Sequence, residues 1–210
     1  MKLQFRCQKN SSDSRRTLYK NTFYKLKQEN KPALIAFLTA GDPNIDMSLR
    51  LANQLPKEGV DIIELGMPFS DPMADGPAIQ ASSLRAIKAG MTLAKTLSSV
   101  QSFRVNDDYT PVILMGYYNP ILAYGIDNFL NDCKTSQIDG IILPDLPLDE
   151  GTFFCEKAKS VNISPILLVA PNTSNERINL ISKLSQDLIY AVSILGITGG
   201  DMNSKENLKK

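Results

Sequence analysis

Six short apolar runs recur along the chain, each bounded by polar or turn-forming residues. They begin near Ala33 (ALIAFLTA), Val60 (VDIIELG), Pro111 (PVILMGYY), Asp139 (DGIILPD), Pro165 (PILLVAP) and Leu188 (LIYAVS). Runs of this length with little polar alternation predict strands covered on both faces. Each of the first five is followed by a helix-compatible segment. Run starts lie 23 to 28 residues apart, except for one interval of 51 between the second and third. That interval holds a long acidic loop and two helical patterns, 77–89 and 92–104. The second pattern sets Leu93, Leu97, Val100 and Phe103 along one stripe. Leu18, Phe23 and Leu26 give residues 17–30 a helical spacing, and Thr173-Ser174-Asn175-Glu176 fits a capping box opening the fifth helical segment.

Apolar strands alternating with helices predict a parallel sheet with helices on its faces. Units of this period fit an open doubly wound sheet or part of a (β/α)8 barrel. No strand is followed by the GxGxxG of dinucleotide-binding folds. Polar residues collect where strands end: Thr39, Gly41, Asp42, Glu64, Tyr117, Tyr118, Asn119, Asp145 and Ser193. In a barrel that rim carries the active site. The expectation is therefore an α/β chain with the (β/α)8 TIM-barrel fold, of which about six βα units are present. Residues 1–16 read as a disordered basic extension, with Lys2, Arg6, Lys9, Arg15 and Arg16 against Asp13. Their composition also suits an organelle-targeting segment. Residues 17–210 read as the barrel domain.

With 210 residues the chain has room for one sizeable core. A net charge of +1 gives no electrostatic case for nucleic acid, and no apolar run reaches the ~20 residues that span a bilayer. Cys7, Cys133 and Cys155 lack any CxxC spacing and read as reduced thiols without a zinc site. There is no histidine. Proton transfer must then use carboxylates, Tyr, Lys or Cys, and a Ser-His-Asp triad or a histidine metal site is excluded.

The stretch Glu64–Pro77, ELGMPFSDPMADGP, is the densest in candidate chemistry. Strand alternation puts Glu64 on the face of Val60 and Ile62, where a carboxylate is costly unless something uses it. Asp75 follows eleven residues later in a proline-stiffened loop. Two carboxylates in unlike surroundings suit acid/base work, with Glu64 the one whose pKa burial should raise. Structural alternatives remain open: Asp75 capping the helix that starts near Pro77, and Glu64 paired with a buried Lys or Arg.

From about residue 20 to residue 200 the chain resembles the tryptophan synthase alpha subunit family. The matching stretches are FLTAGDP (37–43), ELGMPFSDPMADGP (64–77), GYYNP (116–120), GIILPDLP (140–147), PN (171–172) and GITGG (196–200). The resemblance implies a lyase of tryptophan biosynthesis that needs no cofactor or metal. It would cleave indole-3-glycerol phosphate to indole and glyceraldehyde 3-phosphate by a retro-aldol reaction. Glu64 would be the acid/base at indole C3 and the glycerol hydroxyl, and Asp75 would balance charge at the indole N–H. Phe37 and Tyr117 match residues around the indole pocket, and Tyr190 a tyrosine near the catalytic acid; barrel core is the plainer role for each. Thr198 and Gly199 match the loop that holds the substrate phosphate and closes over it, an ordinary glycine turn being the alternative. Pro68, Asp71 and Asn119 match the contact surface for the beta subunit. That subunit is the pyridoxal-phosphate enzyme of an alpha2-beta2 heterotetramer and receives indole through a tunnel. The compartment implied is the cytoplasm, with the plastid stroma as the alternative.

Two departures accompany the match. Ile194 follows Ser193 where the family usually has arginine, so altered loop closure is expected. The sequence stops at Lys210, in what reads as the start of a sixth helix. The expectation is that the last two βα units, with their phosphate-binding backbone, lie outside it. The alternative function is then a catalytically impaired fragment that docks on and modulates the beta subunit.

Overall fold

Six parallel strands pair strictly in chain order in the computed structural model, which describes residues 16–192. They are β1 (Ile35–Thr39), β2 (Ile62–Gly66), β3 (Val112–Met115), β4 (Gly140–Ile142), β5 (Ser164–Val169) and β6 (Ile189–Ala191). Each successive pair is joined through helix, as parallel pairing requires. The helices are α2 (Ile45–Gln54), α3 (Pro77–Lys88), α4 (Leu93–Arg104), α5 (Tyr118–Tyr124), α6 (Ile126–Thr135), α7 (Leu148–Ser160) and α8 (Asn175–Leu184), with α1 (Arg16–Gln28) preceding β1. The register aligns Phe37 with Glu64 and Glu64 with Ile113.

Strand alternation separates two cores. Ile62, Ile113, Ile142, Ile166 and Leu188 pack together on the inner side of the curled sheet, joined by Tyr19 of α1. Ile63, Leu65, Leu114 and Ile141 face the helices and meet Ala52, Val100, Phe103, Phe129 and Phe154. α1 seals the N-terminal end of the strands. Tyr19 is 2% exposed, and its hydroxyl approaches Gly140 so closely that a Cβ there would lie 2.6 Å from it. At the same end Arg104 and Asp139 form a buried ion pair of 2.7 Å. The Asp139 carboxylate also accepts from the Val112 N–H, which ties β3 to β4. That pairing accounts for a charged residue at the head of an apolar run.

Several boundaries differ from the sequence reading. α1 begins at Arg16, inside the stretch assigned to the extension; residues 1–15 lie outside the described residues. Two helices follow β3 rather than one, because Gly125 adopts φ +90° between α5 and α6. Val60 packs with the outer core, so Glu64 shares its face with Ile62 but not with Val60. The N-cap of α8 is Ser174, which accepts from the Arg177 N–H, whereas the Thr173 hydroxyl accepts from Ala170 N–H. Glu176 therefore sits one position short of the capping-box partner. Cys133 and Cys155 are buried free thiols, and burial raises both pKa values.

Candidate active site

Glu64 is the middle residue of β2 and is 5% exposed. Its side chain lies on the inner face, among Ile62, Ile113 and the half-buried Met115 and Tyr190. Burial lifts its pKa from the ordinary glutamate value to about 7. Among the described residues no Lys or Arg forms an ion pair with it. Across the inner face, burial together with the Glu64 charge pushes the Tyr190 hydroxyl up to about 12.

Asp75 sits in the 67–76 loop that carries the chain from β2 to α3. It does not cap α3: the N-cap is Gly76, with Pro77 at the first helical position, and the Asp75 carbonyl accepts from Gln80 Nε2 at 2.8 Å. Its carboxyl group is thus left for other work. Burial raises the Asp75 pKa, and a hydrogen bond from the Tyr117 hydroxyl opposes the rise. Burial thus raises both acids, with Glu64 buried and Asp75 half-buried and hydrogen-bonded by Tyr117.

Tyr117 organises this loop. Its ring is 3% exposed, its oxygen accepts from the Ala74 N–H at 3.0 Å, and its hydroxyl serves the neighbouring Asp75. Phe69 lies against it with ring centroids 5.5 Å apart. Two absent side chains make room. A Cβ at Gly66 would come 2.6 Å from the Phe37 ring, and one at Gly116 would come 2.6 Å from Met67. From the other side α3 is clamped to the end of β1. Thr39 Oγ1 and Ser82 Oγ are 2.7 Å apart, and Arg85 grips both oxygens of Asp42 at 2.7 and 2.9 Å. Between these walls lies a small pocket, lined by Phe37, Asp75, Ile79, Ser83, Met115 and Tyr117 among others. Glu64 lies two residues deeper along β2 than Gly66, which lines the pocket floor.

One acid of raised pKa below the pocket, with a second acid at its side, can pass a proton to a bound molecule and stabilise the resulting positive charge. The family model for the tryptophan synthase alpha chain matches residues 23–210. The chain belongs to that family. The tryptophan synthase alpha chain of Petrotoga mobilis is 50% identical over 183 residues, 87% of this chain and 70% of that protein. The crystal structure of tryptophan synthase subunit alpha from Legionella pneumophila superposes with a TM-score of 0.81 at 41% identity, covering 84% of this chain and 67% of that one. A structure of the tryptophan synthase a2b2 complex from Pyrococcus furiosus matches at 43% identity and a TM-score of 0.72, over 76% and 65% of the two chains.

Of the residues singled out in the sequence, the structure brings Phe37, Glu64, Asp75, Tyr117 and Tyr190 to the inner face and C-terminal rim. Phe37 is 39% exposed, so it forms pocket wall rather than barrel core. Pro68, Asp71 and Asn119 lie on the same rim, Pro68 half-buried and the other two exposed. Thr198 and Gly199, with Ser193 and Ile194, lie outside the described residues. Sequence reasoning missed the roles of Gly66 and Gly116, the Thr39–Ser82 contact and the Arg85–Asp42 clamp. These partners lie 43 residues apart in the chain, and only the fold makes them neighbours. Gly66 had a signal, a glycine ending an otherwise apolar strand.

Proposed function

We propose that this protein is the alpha-chain lyase of tryptophan biosynthesis, cleaving indole-3-glycerol phosphate to indole and glyceraldehyde 3-phosphate. The observation that carries the reading is Glu64: a buried carboxyl without an ion-pair partner among the described residues, with a pKa raised to about 7, in a chain of this family. Such a group is poised to give and take a proton near neutral pH.

The protonated Glu64 carboxyl delivers its proton to C3 of the indole ring, and positive charge develops on the ring nitrogen. Asp75 accepts the ring N–H and balances that charge. The resulting Glu64 carboxylate then takes the proton of the glycerol hydroxyl next to the ring. The C–O bond becomes a carbonyl, the carbon–carbon bond to C3 breaks, and its electron pair restores the aromatic ring. Glu64 ends with the proton it began with, so no outside acid, base or redox partner is consumed. Phe37 and Tyr117 sandwich the ring, Tyr190 bounds the acid from β6, and Thr198 with Gly199 holds the phosphate. The rim bearing Pro68, Asp71 and Asn119 docks a beta subunit; the Pyrococcus furiosus relative is part of a tryptophan synthase a2b2 complex. No helix among the described residues is long and apolar enough to cross a membrane, and the reading places the protein in the cytoplasm.

The test is indole release from indole-3-glycerol phosphate by the purified protein, with and without a beta subunit. Glu64→Gln should lower kcat at least about 100-fold while substrate still binds. Turnover near the wild-type rate in that variant would reject the assignment.

A further inference from the structure

We infer that Ser83 is a further substrate-contacting residue, whose hydroxyl shares recognition of the ring N–H with Asp75. The inference rests on the reading of the pocket as an indole site.

Ile79 and Ser83, one turn apart on α3, both line the pocket beside Asp75. Ser83 is 5% exposed. Helical serines ordinarily settle their hydroxyls on a carbonyl one turn back. On α4, Ser98, Ser99 and Ser102 all do so, at 2.9 to 3.1 Å. The neighbouring Ser82 donates to the Ile79 carbonyl at 2.8 Å and pairs with Thr39. The carbonyl one turn back from Ser83 is that same Ile79 carbonyl. The Ser83 hydroxyl makes no hydrogen bond among the described residues. Nor is it one of the fully enclosed polar atoms left without a partner, so it opens onto the pocket and can take its partner from whatever fills it.

The other polar groups of the lining are committed. Thr39 is held by Ser82, and Tyr117 by the Ala74 N–H and Asp75. A bound ring therefore meets two groups with spare capacity, the Asp75 carboxylate and the Ser83 hydroxyl. An indole ring presents one polar atom, its N–H. A serine hydroxyl can accept from that N–H and donate to a carboxylate at once, which a second carboxylate or an apolar side chain cannot do.

The test compares two uncleavable ligands, indole-3-propanol phosphate and its benzofuran counterpart, in which ring oxygen replaces N–H. Wild-type protein should bind the indole form at least about tenfold more tightly, and Ser83→Ala should cut that ratio about fivefold without lowering the thermal midpoint. Ser83→Thr, which keeps the hydroxyl, should retain the ratio. An unchanged ratio in Ser83→Ala would overturn the inference, and a lowered midpoint with that ratio would give Ser83 a purely structural role. Wild-type protein that does not tell the two ligands apart would overturn it together with the Asp75 role. The Glu64 assignment would then stand or fall separately, on indole release.

Discussion

Glu64 is held at a price in stability, because its carboxylate form is poorly solvated on the inner face. Its folded pKa of about 7 exceeds the ordinary glutamate value of 4.5, so between these limits the folded state binds more protons than the unfolded chain. Stability must then fall as pH rises from about 4.5 through 7, by about 3 kcal/mol on this group's account. Glu64→Gln, which cannot ionise, should remove that component. Thermal melts of the two proteins at pH 5 and pH 8 check the sign: the variant gains on wild type at the higher pH. Tyr117→Phe tests the neighbouring acid. Asp75 loses the hydrogen bond that holds its pKa down, and the Ala74 N–H loses its acceptor. The expected result is a roughly tenfold loss in kcat/KM with a smaller change in thermal midpoint. Loss of stability without loss of activity would mean that Tyr117 only packs.

At the scale of elements, the sequence conveyed strand order and type because six apolar runs and their spacing are local signals. It also exposed both acids, since Glu64 interrupts an apolar strand and Asp75 stands in a proline-rich loop. It did not convey the break between α5 and α6, which depends on the backbone angle of Gly125. Nor did it show Val60 turning to the outer core, since strand alternation holds only from Ile62 onward. The clamp between β1 and α3 was hidden for another reason: Asp42 and Arg85 look like ordinary surface charges until parallel pairing of β1 with β2 brings them together. Close backbone approach was equally silent. Gly66→Ala puts a methyl carbon 2.6 Å from the Phe37 ring and must displace it. The substitution should cost about 1–3 kcal/mol and raise KM by moving a pocket wall. Chemical denaturation and steady-state kinetics on one preparation measure both.

For the molecule as a whole, the two ends of the sheet divide the labour. The N-terminal end is sealed by α1 and tied by the buried Arg104–Asp139 pair, with Arg104 also donating to the Thr110 carbonyl at 2.7 Å. Asp139→Ala leaves a buried guanidinium without its counterion and should destabilise the fold by about 3–5 kcal/mol while touching no substrate. The C-terminal end carries the acids and the pocket, the division that barrel enzymes use. If one buried carboxyl, Glu64, runs the cleavage, its titration governs the pH dependence of indole release. Because the reaction begins from protonated Glu64, kcat/KM should decline as pH rises through about 7. In Glu64→Gln that limb should vanish along with the activity. A profile flat through neutral pH, or one that survives in the variant, would contradict the account.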